Sequence, residues 1–269
     1  MTSLGTAIIL GAVQGLTEFL PISSSGHLLL ARELLGANTE HGLAFDAVLQ
    51  LGTLVAVFVY FREDVAQLIQ DAWGLVRRKD VPEERRQRLA AIVLGSIPAG
   101  LAGIFLEETM ATVFRTPLLV ACALAAGSML FLLAEFLATR QKRHPLTLAT
   151  GLGVGVFQCL ALVPGVSRSG ATISGGLILG LDRAAAARFS FLLSIPIIGA
   201  SGLYKLVDLL RTPTPDVSAA ALAAGFAVAA AVGYAAIRAL LAILQTHGLR
   251  PFIVYRLALA AVVFAAIAI

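Results

Sequence analysis

The chain has 269 residues, of which 58% are hydrophobic and 13% charged, with a net charge of +4. Soluble domains carry about 25% charged residues, so a water-soluble globule is excluded. The apolar runs are continuous, where the strands of a membrane barrel would alternate, so the chain reads as an α-helical membrane protein.

In chain order, the N-terminus has no basic segment and no cleavage site, and no signal peptide is expected. Residues 4–35 are apolar but broken by Pro21-Ile22-Ser23-Ser24-Ser25-Gly26. The arm after the break, 27–35, reaches only about 14 Å as a helix. A bilayer core of roughly 30 Å needs about 20 residues. A re-entrant hairpin is predicted, two half-helices that enter and leave on one side, with a kinked ordinary span as the alternative. Irregular backbone at that depth must be buried in protein or line a wet cavity. Full spans follow at 43–61, 89–106 and 117–138. Residues 147–180 repeat the broken pattern around Pro164-Gly165-Val166-Ser167-Arg168-Ser169-Gly170, and spans at 189–210, 217–244 and 251–269 follow. Cys122 and Cys159 lie in apolar stretches and read as small packing residues, without metal-binding spacing.

Basic residues set the orientation. The segment 62–88, predicted as a loop, carries Arg62, Arg77, Arg78, Lys79, Arg85, Arg86 and Arg88. The loop 139–146 carries Arg140, Lys142 and Arg143, and Arg238 and Arg250 flank the last link. The opposite loops carry Glu107, Glu108 and Arg115, then Arg211 and Asp216. The basic loops are therefore cytoplasmic and both termini face outward.

The two broken regions echo each other. Gln14 to Pro21 is matched by Gln158 to Pro164, and each is followed by a Ser-rich turn ending in Gly26 or Gly170. Each half holds one hairpin and three spans. Three is odd, so the second half is upside down and the two polar tips meet near the midplane. The fold class is an all-α polytopic membrane protein with an inverted-topology repeat, each half a re-entrant helical hairpin plus three transmembrane helices. The first repeat is 1–145 and the second, inverted one is 146–269. Secondary transporters share this plan, so function has to be argued from the site.

Gln14 and Glu18 share a helix face, and an ionisable group at that depth suggests function. Ser23, Ser24 and Ser25 stand where the second half-helix starts. Serines there cap helices, yet one beside a base is also a nucleophile. Glu18 and His27 are the candidate bases. In the second break Ser167, Arg168, Ser169 and Thr172 open another half-helix, a natural anion site. Arg168 adds a fork suited to phosphate oxygens. Asp46, with Gln50 one turn later, either joins Glu18 in holding a cation or caps its helix. Arg256, within the last span, is expected to snorkel towards the cytoplasmic head groups. A hairpin bearing carboxylate, hydroxyl and imidazole facing one bearing arginine suits phosphoryl chemistry.

Gln14-x-x-x-Glu18 with Pro21-Ile22-Ser23-Ser24-Ser25-Gly26-His27, and Pro164-Gly165-Val166-Ser167-Arg168-Ser169-Gly170-Ala171-Thr172, resemble the two signatures of the undecaprenyl-diphosphate phosphatases, the bacitracin-resistance family. The resemblance extends over essentially the whole chain. The family takes Glu or Gln at position 14, which moves the role of base to Glu18. It often has Thr at position 25 and Glu at position 46. The resemblance implies hydrolysis of undecaprenyl diphosphate to the monophosphate carrier reused in peptidoglycan synthesis. It implies Ser24 as nucleophile, Glu18 and His27 as base and acid, and Arg168 as a catalytic cation. Gln14, Ser23, Ser25, Ser167, Ser169 and Thr172 would bind the diphosphate. It also implies a divalent cation, Mg²⁺ or Ca²⁺, with Glu18 as a ligand beside substrate phosphate and Asp46 as the further candidate from its position, a homodimer, and a bacterial cytoplasmic (inner) membrane with the site open to its outer face. The expected partners are the polyprenyl diphosphate and membrane lipid, with no nucleic acid. A flippase for the lipid phosphate and a protein that only sequesters the lipid are the competing readings. Attack by Ser24 and direct attack by water both stay open.

Overall fold

The computed structural model describes residues 3–37, 42–112, 116–140, 142–211 and 218–268. Among the described residues all regular structure is helical. The first half runs α1 (Leu4–Phe19), α2 (Ser24–Leu34), α3 (Gly42–Tyr60), α4 (Arg62–Val76), α5 (Glu83–Thr112) and α6 (Pro117–Ala138). The second runs α7 (Leu148–Cys159), a 3-10 turn (Leu160–Leu162), α8 (Arg168–Ile178), α9 (Arg183–Arg211), α10 (Ala219–Thr246) and α11 (Arg250–Ala268). Helix starts carry the caps their sequences announce. The Oγ of Ser3 accepts from Thr6 N at 3.1 Å, and Thr116 caps α6 with Pro117 in its first turn.

Five helices, α5, α6, α9, α10 and α11, are long and apolar enough to cross a membrane. A sixth crossing exists if α3 and α4 count as one broken span. The chain is therefore a multi-pass membrane protein. The arms α1, α2, α7 and α8 are shorter, with 16, 11, 12 and 11 residues. An 11-residue helix rises only about 16 Å, so α2 and α8 cannot cross.

The expected loop over 62–88 is corrected by α4, which turns 86° from α3. Its apolar Val65 and Leu68 pack on the main core cluster. Its buried Asp64 accepts from Arg88 at 3.1 Å and from Arg188 on α9 at 2.6 Å, and Asp71 pairs with Arg85. A search for 20-residue apolar runs passes over such a short amphipathic helix. Arg115 and Asp216, used to orient the chain, lie outside the described residues.

Small residues decide which helices meet. Gly11 and Gly15 let α1 lie on α10, where a Cβ on Gly11 would come within 2.5 Å of Gly225 O and one on Gly15 within 2.7 Å of Ala229 O. Gly151 and Gly155 do the same for α7 against Ala91 and Gly95 of α5. Without a hydrophobic drive in lipid, such close backbone approach is what holds helices together. The first arm of each hairpin thus packs on a helix of the other half. In addition, α3 packs on α9 and α6 on α11. This exchange of partners brings both hairpin breaks to the centre of the bundle.

Candidate active site

Each break is built by one serine in a conformation that L residues rarely adopt. Ser23 has φ 75° and Ser167 has φ 77°. Such backbone costs about 1–3 kcal/mol and persists only where neighbours over-determine it. Here they do. Ser23 Oγ accepts from Gly26 N at 3.4 Å, and Ser167 Oγ accepts from Gly170 N at 3.2 Å, so each serine caps the half-helix after it. Ser23 Oγ also accepts from Gly165 N at 2.9 Å, and Ser169 Oγ donates to Leu20 O at 3.4 Å. The two turns are therefore bonded to each other across 142 residues of sequence.

Arg256 completes this junction, and the expectation that it snorkels is wrong. It is fully buried. Its Nη1 donates to Pro21 O at 3.3 Å in the first break, and its Nη2 to Gly165 O at 2.9 Å in the second. The same guanidinium donates to Leu124 O at 3.1 Å and Ser128 Oγ at 3.2 Å on α6, and lies 4.6 Å from the Phe131 ring centre. The side chain turns inward because all three guanidinium nitrogens find acceptors there that lipid could not supply.

On the other side of the junction is a cavity of about 190 Å³, lined on its polar wall by Glu18, Ser23, Ser24, Ser25, Ser167, Arg168, Gln50 and Gln158. Glu18 is 6% exposed. Its Oε1 accepts from Arg168 Nη2 at 2.7 Å, its Oε2 from Ser24 Oγ at 2.6 Å and from Gln14 Nε2 at 2.9 Å. Charge-assisted bonds of this length are the strong ones. Removing one partner would leave a buried charge uncompensated, at a cost of about 3–5 kcal/mol. The hydroxyl of Ser24 is thus aimed at a carboxylate whose other oxygen is held by an arginine. The apolar wall comes from Ala99 of α5, Leu162, and Ile197 and Ile198 of α9, beside the in-helix prolines Pro98 and Pro196.

Six of the predicted site residues meet in this cavity: Glu18, Ser23, Ser24, Ser25, Ser167 and Arg168. Gln14 and Ser169 lie fully buried behind it. Thr172, predicted to bind substrate, faces away. Its hydroxyl is bonded to Arg168 O at 2.8 Å, and to Ser190 Oγ on α9 at 2.6 Å, so it ties α8 to α9. His27, predicted as acid or base, does not line the cavity. Its Nδ1 lies 2.8 Å from Ser23 O, which only accepts, so Nδ1 carries the proton. Its Nε2 lies 2.7 Å from the Tyr255 hydroxyl, and the two rings stack. His27 supports the Ser23 turn from the far side. Asp46, predicted to hold a cation with Glu18, does not line the cavity either and pairs with Arg32 of α2. The carboxylate found a guanidinium on the neighbouring arm, which the sequence order hides. Sequence reasoning passed over Gln158 as a site residue, although its position as the echo of Gln14 was the available signal.

Fold and site together define a polytopic helical membrane protein whose two broken helical hairpins close on a serine–carboxylate–arginine cluster. The comparison with known proteins agrees. The model of the family described as bacitracin resistance protein BacA matches residues 7–262, and the chain belongs to that family. It is 47% identical to a protein of Rubrobacter xylanophilus named undecaprenyl-diphosphatase, over 98% of each chain. It is 49% identical to one of Trichlorobacter lovleyi with the same name, over 94% of this chain and 93% of the other. For a third, from Thermobifida fusca, the figures are 43%, 96% and 88%.

Proposed function

We propose that this protein hydrolyses undecaprenyl diphosphate to undecaprenyl phosphate and inorganic phosphate. The observation that carries the reading is the Ser24 Oγ–Glu18 Oε2 bond of 2.6 Å, in a cavity that also holds Arg168. A carrier that only moves a lipid phosphate needs no activated hydroxyl. In the reaction Glu18 takes the Ser24 proton while Oγ bonds to the terminal phosphorus. The bond from that phosphorus to the bridging oxygen breaks, and the electron pair leaves with undecaprenyl phosphate. Glu18 passes that proton to the departing phosphate oxygen. Water then attacks the phosphoseryl phosphorus with Glu18 taking its proton, the bond from phosphorus to Oγ breaks, and Glu18 returns the proton to Ser24 as phosphate leaves. Arg168 and the amide groups at the start of α8 face the charge that builds on the phosphate oxygens. Phosphoryl transfer depends on such positioning and neutralisation above all.

A divalent cation, Mg²⁺ or Ca²⁺, belongs to this reading. Among the described residues no three His, Cys, Asp or Glu side chains cluster to hold one. Among the described residues Glu18 is the one carboxylate lining the cavity, with free lone pairs beyond its three bonds. That fits an ion held by one carboxylate plus substrate phosphate and water, as Mg²⁺ commonly is. Bound there, it would neutralise diphosphate charge. The isoprenyl tail leaves through the apolar wall between α5 and α9, into lipid. The membrane is the bacterial cytoplasmic membrane, with the cavity open to its outer face. The pathway role is recycling of the peptidoglycan lipid carrier, with bacitracin resistance as a consequence.

The test is phosphate release from farnesyl and undecaprenyl diphosphate by purified protein in detergent with Mg²⁺ or Ca²⁺. Release that Ser24→Ala abolishes supports the reading. No release from folded protein that still binds the lipid overturns it and favours a carrier.

A further inference from the structure

Gln158 on α7 is only 2% exposed, yet neither its amide nitrogen nor its amide oxygen has a partner in the protein. Because both atoms are orphaned, the observation does not depend on which way the amide is turned. A buried amide without a hydrogen bond is costly, and folded proteins keep few of them. This one lines the cavity that holds Glu18, Ser24 and Arg168. Beside it, Arg168 Nη1 is also buried without a partner, while Nη2 is held by Glu18.

The repeat explains how the amide came to be free. Gln14 and Gln158 each stand nine residues before a serine with positive φ. One turn after Gln14 comes Glu18, and Gln14 Nε2 donates to it at 2.9 Å. One turn after Gln158 comes Leu162, which offers no acceptor. The same amide at the same place is spent on a carboxylate in one hairpin and left open in the other. The open one stands on the hairpin that carries Arg168. Two unsatisfied donors, Gln158 Nε2 and Arg168 Nη1, thus border one cavity, and the ligand class that satisfies both is an oxyanion.

We propose that Gln158 binds the diphosphate directly, with Nε2 donating to a non-bridging oxygen of the group that Arg168 Nη1 also takes. The inference rests on the lipid diphosphatase reading and adds a recognition residue to it. Water admitted with the substrate supplies the donor that Gln158 Oε1 requires.

Gln158→Leu removes the amide at nearly constant volume. The probe is a methylene-bridged farnesyl diphosphonate, which binds without hydrolysis. Equilibrium binding, turnover of farnesyl diphosphate and melting temperature are measured on the same preparations. A hydrogen bond to a charged group is worth enough for the variant to bind the probe about tenfold or more weakly and to raise KM similarly. Melting temperature stays equal or rises, because an unpaired buried amide has been replaced by an apolar group. A structural role would instead lower it. If Leu does not fold, Gln158→Met repeats the test with an unbranched chain. Binding and KM equal to wild type overturn the assignment of Gln158 and leave the diphosphatase reading standing. Wild-type protein that neither binds the diphosphonate nor releases phosphate overturns both.

Discussion

Replacing Arg256 by Met tests whether the active cavity is held in register from behind. The substitution keeps an unbranched apolar stem and removes the guanidinium. Leu124 O, and Ala123 O, which Arg256 Nη2 also reaches at 3.3 Å, lie within α6 and keep helical partners. Pro21 O and Gly165 O lie in the breaks, bonded by Arg256 at 3.3 and 2.9 Å. A hydrogen bond to a charged donor contributes about 1.5–3 kcal/mol, so the two together contribute about 3–6 kcal/mol. Against this, the variant no longer buries a cation, which returns several kcal/mol. The two effects nearly offset each other in global stability. They do not offset in geometry, because nothing replaces the tie between the two hairpin tips. A displacement of roughly 1 Å between reacting groups costs about 10²-fold in rate. The expected result is a fall in kcat of about that size with little change in melting temperature, measured as phosphate release from farnesyl diphosphate beside a thermal melt. Arg256→Lys should not rescue it, since one ammonium cannot reach both breaks and α6 at once. A kcat for Arg256→Met equal to wild type would refute the reasoning.

Four further outcomes follow from the geometry. Glu18→Gln and Ser24→Ala should each lower kcat by at least about 10²-fold, the usual contribution of a positioned base or nucleophile. His27→Gln should lose much less than Ser24→Ala, because His27 lies outside the cavity; equal losses in the same assay would return His27 to the chemistry. Gly155→Ala should lower the melting temperature. The new methyl would meet Gly95 O, and overpacking of about 1–3 kcal/mol outweighs the roughly 1 kcal/mol that alanine gains in a helix. A chelator should stop phosphate release, and Asp46→Asn should leave the cation concentration for half-maximal activity unchanged, since Asp46 pairs with Arg32; a shift there would place Asp46 at the ion.

The parts of this protein legible in its sequence are those carried by local pattern. Pro21 and Pro164 with their serines mark the two breaks, because proline and capping serines act on the residues beside them. Glu18 and Arg168 were legible as charges at membrane depth, where every ionisable group needs a partner. The parts that were not legible depend on long-range geometry. Arg256 reaches carbonyls 235 and 91 residues away, and no spacing rule connects them. Asp46 was assigned to Glu18 by chemical type, while its partner is Arg32 on α2. Thr172 and His27 sit in the right motifs but on helix faces turned away from the cavity. A motif gives residue order, and only tertiary contacts, His27 with Tyr255 of α11 and Thr172 with Ser190 of α9, decide which face turns in. The helix α4 escaped for a different reason, since it is short and amphipathic, with Val65 and Leu68 on the core and Asp64 and Asp71 meeting arginines.

The resting pair of Glu18 and Arg168 looks at first like a lock that substrate must break. The geometry argues otherwise. Arg168 gives Nη2 to Glu18 and keeps Nη1 open, so phosphate can be taken on the second tooth of the fork while the first still holds the carboxylate. Glu18 in turn keeps Ser24 on its other oxygen. Nucleophile, base and anion site can therefore be occupied together without first separating a buried ion pair. The repeat makes this arrangement possible. Both hairpins use the same serine cap at positive φ, yet the next residue is Ser24 in one and Arg168 in the other. Their shared bonds to Glu18 then bring nucleophile and cation together. A transporter with this plan would need the two hairpins to part in order to pass its cargo. Here Gly165 N on Ser23 Oγ, Ser169 on Leu20 O and Arg256 on both breaks bind the tips together, which suits a fixed site for chemistry.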